Sequence, residues 1–288
     1  MRLGHLALAF FLALPLPAAI QEPIAVEGGS INGISGWGWG VREYLGVPFA
    51  APPVGNLRWK EPQPVISWQG VRAADRFSAS CMQRPVSQNS GAWNGVDDGR
   101  TRGILRTSED CLYLNVWTPA ASNNEKLPVM VWIYGGGGVN GSSAESFFDG
   151  NAMAKKSVVV VSMNYRVNIF GWFAHPELTR ESPHHSSGNY GSLDQLAALK
   201  WIKNNIAKFG GDPDKVTIWG ESGGSRSVNF LAASPLLKGY ARAAIAESHT
   251  SFGRMRNLAE VRRTEWLWLR RRGRSPLPTF ARCHRRKR

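Results

Sequence analysis

At 288 residues, with 43% hydrophobic residues and 12 Trp, the chain has enough apolar material for one large core or two smaller ones, which excludes a mostly disordered polypeptide. Its formal charge of +14 points to nucleic acid only until it is divided along the sequence. Residues 254–288 hold 13 Lys and Arg against Glu260 and Glu265, a net of +11, so residues 1–253 carry +3 and the basic character belongs to a tail.

The first residues, Met1-Arg2-Leu3-Gly4-His5, precede an apolar run from Leu6 to Leu14 and then Pro15-Leu16-Pro17-Ala18-Ala19. Charged, apolar and small-residue regions in that order predict a secretory signal over residues 1–19, cleaved near Ala19, and hence a secreted or periplasmic protein. The run is too short to span a bilayer. Export implies an oxidising compartment, in which two of the three cysteines can pair. Cys81 with Cys111 would close a loop over residues 82–110, the alternative being unpaired thiols, and Cys283 lies in the tail without an evident partner.

From about Ile24 to Trp117, short apolar stretches punctuated by Gly28-Gly29, Asn32-Gly33 and Gly46-Val47-Pro48 read as a small β-rich entry to a larger sheet. Tyr44–Gly55 is too Pro-rich for a helix or a central strand and is expected to run extended over a surface. Cys111–Trp117 alternates in β-formers and predicts a strand. The continuous apolar runs Val129–Tyr134 and Val158–Met163 predict strands buried on both faces, as in a parallel sheet. Leu196, Leu199, Ile202 and Ile206 recur at helical steps between Leu193 and Phe209, and Gly210-Gly211 stops that helix. A strand at Val216–Trp219, a helix from about Gly223 to Ala233 and a strand at Ala243–Glu247 complete a doubly wound α/β pattern.

Gly220-Glu221-Ser222-Gly223-Gly224 sits between the Val216–Trp219 strand and the following helix, the context of a nucleophile elbow. Glycines on both sides of Ser222 remove the Cβ atoms that would block a sharp turn, so its hydroxyl is expected at the carboxyl end of the sheet. Tyr134-Gly135-Gly136-Gly137-Gly138 follows the first buried strand, and four successive glycines imply unusual torsions or close approach to a ligand, with N–H groups facing a pocket. A phosphate loop is excluded because no G-K-[ST] follows. His184-His185 lie in a Ser- and Pro-containing loop and read as surface residues, not metal ligands.

Phe209-Gly210-Gly211-Asp212-Pro213, with Val216, Ile218 and Gly220–Gly224, resembles the serine signature of the type B carboxylesterases, a group within the α/β-hydrolase superfamily. Glu109-Asp110-Cys111-Leu112-Tyr113-Leu114-Asn115-Val116-Trp117 is similar to the second signature of that family, whose cysteine pairs with one placed like Cys81. The similarity covers about Ile24 to Ser248 and includes Asn164-Tyr165-Arg166 and Asn189-Tyr190-Gly191. The resemblance implies a secreted serine carboxylic ester hydrolase acting on small-molecule esters without metal or cofactor. Ser222 would be the nucleophile, Gly136, Gly137 and Gly223 the oxyanion donors, and Cys81–Cys111 a disulfide. Two departures are tolerable: Gly223 stands where alanine is usual, and Gly138 replaces an aromatic residue, which would loosen the acyl pocket.

A third departure weighs more. The family carries its catalytic acid and histidine well downstream of the serine, whereas beyond Ser222 this chain has as acids only Glu247, Glu260 and Glu265, and as imidazoles only His249 and His284. None of these stands in a family motif. His249 follows the Ala243–Glu247 strand and reads either as a stand-in base or as an ordinary loop histidine. The expectation is therefore an α/β-hydrolase doubly wound sheet with a small β-rich N-terminal part, C-terminally truncated: residues 20–253 form the N-terminal portion of an esterase-like domain. A catalytically silent, esterase-like binding protein or inactive fragment is the alternative. Residues 254–288 read as a frameshifted, non-native tail; no binding to nucleic acid or an anionic membrane is expected of it, though its Trp and Arg leave that reading open.

Overall fold

The computed structural model describes residues 20–36, 40–84, 106–145, 149–248 and 257–263. The signal proposed for residues 1–19 and most of the basic tail lie outside these. The chain enters through β1 (Ile24–Val26), β2 (Gly29–Asn32), β3 (Ile34–Ser35), β4 (Arg42–Pro48), β5 (Val71–Ala73), β6 (Ser80–Cys81) and β7 (Thr107–Ser108). These short strands alternate with glycine turns, as the sequence expects of a β-rich entry. Cys81, at the end of β6, is bonded to Cys111, which precedes β8 (Tyr113–Thr118). Closing a loop of this length contributes about 3–4 kcal/mol by restricting the unfolded chain.

Tyr44–Gly55 departs from expectation. Instead of crossing a surface, its first part continues β4, hydrogen-bonded to β8 on one side and β3 on the other, with Tyr44 and Val47 fully buried. The prolines do not prevent this because Pro48 is the last strand residue and Pro52 and Pro53 follow it. A register shift between Tyr44 and Val47, centred on Gly46 with φ +69°, absorbs the irregularity.

The two valine-rich runs become β9 (Leu127–Ile133) and β10 (Val159–Met163), joined through the short helix α1 (Asn151–Ala154). The chain then passes through α2 (Asn168–Trp172), α3 (Pro176–Glu181) and α4 (Tyr190–Asn205) to β11 (Gly211–Glu221), and through α5 (Gly223–Ala233) to β12 (Ala243–Glu247). The sheet order is β12-β11-β9-β10-β8-β4-β3. β12, β11, β9 and β10 are mutually parallel, while β8, β4 and β3 add antiparallel pairings beyond β10. All five residues of β10 are buried, as its sequence predicts, although it pairs in parallel only with β9.

This order places a switch point at β9. The chain steps from β9 to β10 on one side, then returns to add β11 and β12 on the other. Loops leaving the carboxyl ends of β9 and β11 therefore emerge side by side, which is where open α/β sheets bind ligands. The glycine-rich segment after β9 and Ser222 after β11 are those two loops.

Packing behind them is aromatic. Trp132, Trp201, Tyr134, Tyr165 and Phe209 are at most 2% exposed. α4 buries Ala198, Leu199, Trp201 and Ile202 against the sheet, and a 3-10 turn over Ile206–Phe209 continues it to Gly210, whose φ is +78°. Arg166, leaving β10, forms a two-pronged pair with Asp194 of α4, with Nε and Nη2 donating at 2.8 and 2.7 Å. The Arg166 N–H also donates to Asp194 at 3.0 Å, so strand end and helix are locked together.

Candidate active site

β11 ends at Glu221 and α5 begins at Gly223, so Ser222 alone makes the turn. Its φ of +53° and ψ of −116° lie outside the usual range for a residue with a side chain, a strain of about 1–3 kcal/mol. Two backbone bonds hold it there. The Ser222 N–H donates to the Glu247 carbonyl on β12 at 2.9 Å, and the Ser222 carbonyl accepts from the Arg226 N–H at 3.1 Å. The turn also needs α5 close to β9: a Cβ on Gly224 would stand 2.0 Å from the Ile133 carbonyl oxygen.

The loop after β9 is pinned at several points. Tyr134 donates its hydroxyl to the Tyr165 carbonyl at 2.9 Å and Tyr165 donates to the Tyr134 carbonyl at 2.7 Å, with their rings stacked 4.3 Å apart. Gly136, Gly137 and Gly138 then have φ of +81°, +65° and +78°, a run that only glycine tolerates. Val139 and Asn140 donate their N–H groups back to the Gly136 carbonyl. At the far end the Gln83 side chain donates to the Gly141 carbonyl at 2.7 Å and accepts from the Gly141 N–H at 2.9 Å, which ties the loop to the segment after Cys81.

The two loops meet at Gly137 and Gly223. A Cβ built on Gly223 would come within 2.6 Å of the Gly137 nitrogen and 3.0 Å of its Cα. Gly223 opens α5, so its N–H is among the helix donors without an intrahelical acceptor, at the positive end of the helix. Gly136 begins a 3-10 turn over Gly136–Gly138, and a Cβ on it would meet the Asn140 side-chain oxygen at 2.4 Å. The structure thus brings Ser222, Gly137 and Gly223 together, with Gly136 one residue before.

Beside this junction lies a cavity of about 840 Å³ lined by Gly137, Gly138 and Val139 of the loop, by Ile169, Phe170, Trp172 and Phe173, and by Met82, Arg84 and Arg226. Gly138 does not leave this wall open, as the sequence suggests. The place where its side chain would begin is 2.9 Å from Trp172 Nε1 and 3.1 Å from Arg226 Nη2. Trp172 donates to the Gly138 carbonyl and Arg226 to the Gly137 carbonyl, each at 2.8 Å.

The remaining candidates are scattered. His249, His284 and Glu265 lie outside the described residues. Glu247 is exposed on β12, and Glu260 caps a short helical turn by accepting from the Asn257 N–H at 2.9 Å. His184 and His185 are exposed, and His184 lies 3.6 Å from Glu61. Among the described residues no group of three or more His, Cys, Asp or Glu could hold a metal ion, and no helix is long and apolar enough to cross a membrane. Sequence reasoning missed Arg226, Trp172 and Gln83, which contact the loop from distant parts of the chain and stand in no motif.

A family model described as the carboxylesterase family matches residues 21–274, running past Ser248 where the motif resemblance stops. The fumonisin B1 esterase of Sphingopyxis macrogoltabida is 46% identical over 239 residues, covering 82% of this chain and 42% of the relative. Carboxylesterase 1F of Mus musculus is 46% identical over 230 residues, covering 79% and 39%. Among solved structures, a PNB esterase superposes with a TM-score of 0.77 at 38% identity, covering 91% of this chain and 50% of that one. The Geobacillus stearothermophilus carboxylesterase EST55 gives 0.74 at 38% identity, covering 88% and 48%. The chain spans about two-fifths of the length of the curated relatives it matches. On sequence and on fold together, it belongs to the carboxylesterase family and has the α/β-hydrolase fold.

Proposed function

We propose that this chain carries the nucleophile and oxyanion donors of a secreted serine carboxylic ester hydrolase. The observation that carries the reading is the strained Ser222 beside the contact between Gly137 and Gly223. Ser222 Oγ adds to an ester carbonyl carbon, and the charge that develops on the carbonyl oxygen is met by the N–H groups of Gly223, Gly137 and Gly136. The alcohol then leaves, and water releases the acid from the acyl-serine. No metal or cofactor enters this scheme, and its substrates are small carboxylic esters. Residues 20–253 supply the site, and secretion rests on the signal pattern in residues 1–19.

Glu247, Glu260, Glu265, His249 and His284 are the only acids and imidazoles after Ser222, and none matches the family pattern for the acid and base. A second reading is a catalytically silent binding protein or an inactive fragment. On that reading the serine would lack a base, and loss of triad members costs several orders of magnitude in turnover.

An alkyl fluorophosphonate tests the first reading, because it reports the serine and the oxyanion site without needing turnover. We expect a mass increment on the peptide that contains Ser222, lost in Ser222→Ala. Persistence of the adduct in Ser222→Ala rejects the assignment, and its absence from folded protein favours the silent reading.

A further inference from the structure

We infer that the cavity beside the glycine loop selects esters that carry an anion, above all a carboxylate, and that Arg226 is the ligand of that anion. The inference rests on the reading of Ser222 as nucleophile, since that reading makes the neighbouring cavity a place for the ester to bind. Most of the wall is apolar, with Val139, Ile169, Phe170, Trp172 and Phe173 facing a volume of about 840 Å³. That alone would suit a plain alkyl chain. Two guanidinium groups, Arg84 and Arg226, share the lining, and among the described residues no Asp or Glu is part of it.

Arg226 is four residues beyond Ser222 on α5, one helical turn along the same face. Its backbone N–H bonds the Ser222 carbonyl, which ties the two residues together through the first turn of α5. Nη2 is taken up by the Gly137 carbonyl, and the salt bridges among the described residues include none to Arg226. A guanidinium carries five N–H donors, and this bond, which lies on the exposed side of the wall, uses one of them. The rest face the open cavity and are available to a ligand that enters it. A carboxylate fits best because it can take two parallel N–H bonds from one guanidinium.

The side chain reaches this position because residue 138 is glycine. A Cβ there would stand 3.1 Å from Arg226 Nη2 and 2.9 Å from Trp172 Nε1, so a larger side chain would displace both. The absent side chain therefore exchanges one apolar element of the wall for a cation placed beside the oxyanion loop.

The test is calorimetric binding to the full chain of three ligands of equal length: monomethyl adipate, methyl hexanoate and methyl 6-aminohexanoate. The expected order is anionic, then neutral, then cationic, with the anionic ligand bound about tenfold or more tighter than the neutral one at low salt. Added salt should narrow the gap. Arg226→Gln should erase the difference between anionic and neutral ligands, while Arg226→Lys should keep part of it. Equal affinities in the unmodified chain, or a preference that survives Arg226→Gln, overturns the inference. Fluorophosphonate labelling of Ser222 is read in parallel: labelling without anion preference rejects the inference alone, and preference without labelling rejects the nucleophile assignment alone.

Discussion

The backbone nitrogen of Gly137 and the α carbon of Gly223 are so close that a single methyl group between them would sit 2.6 Å from that nitrogen. The gap separates the two donors proposed for the oxyanion, so substitution at 223 acts on catalysis through geometry. Gly223→Ala should fold and still react with fluorophosphonate, but about tenfold more slowly, because the Gly137 backbone, 2.6 Å from the added methyl, must shift to make room. Gly223→Val should lose about 100-fold or more, approaching the loss of one oxyanion donor. Stopped-flow labelling rates measure both. Equal rates for all three proteins would show that the contact does not set the donor position.

Arg166 and Asp194 are 3% and 0% exposed, with no water to screen either charge. Asp194→Asn keeps the shape and removes the charge, leaving the guanidinium uncompensated. Equilibrium urea unfolding should show a loss of about 3–5 kcal/mol. A loss below about 1 kcal/mol would mean that solvent reaches the pair.

Glu145 follows the glycine loop, and burial pushes its carboxyl up from 4.5 to about 7, against a smaller opposing effect from the Ser142 N–H that it accepts. A raised acid holds its proton in the folded chain after the unfolded chain has lost it. Its contribution to stability is therefore complete below about pH 4.5 and lost as pH rises through about 7. Glu145→Gln still accepts from Ser142 but does not titrate. Relative to wild type, the variant should gain stability between pH 5 and pH 8, by about 2–3 kcal/mol. Melting curves at those two pH values check the sign; a constant difference would place Glu145 in solvent.

Among the described residues β12 is the last strand on one side of the sheet, with every residue exposed, Ile245 at 44%. An exposed apolar edge is a template for pairing with another chain. Sedimentation velocity should show self-association at micromolar concentration, reduced by Ile245→Lys. A monodisperse monomer that melts cooperatively would show that the edge is protected.

What the sequence made legible was whatever depends on short-range chemistry. The helix expected at Gly223–Ala233 and the strand at Ala243–Glu247 have those bounds in the structure, because the glycines around Ser222 fix where strand ends and helix begins. The pairing of Cys81 with Cys111 followed from export and from family resemblance. The first part of Tyr44–Gly55 was misread because proline content was weighed without its position: Pro48 ends the strand and does not interrupt it. Arg226 and Trp172 escaped notice because their place is set by the empty side-chain position at Gly138, 88 and 34 residues away. The reciprocal cap in which Asn257 and Glu260 each accept the other's N–H was also overlooked, within a stretch read as non-native.

The bond from the Ser222 N–H to the Glu247 carbonyl has a consequence for lifetime as well as shape. Among the described residues β12 pairs only with β11, and it is the strand from which the strained serine hangs. Each opening of β12 releases the peptide that enforces φ +53° and lets the residue relax toward an unreactive turn. Exchange of the Ser222 amide with solvent should therefore report how firmly β12 is docked on β11, against the buried amides of β10 as reference.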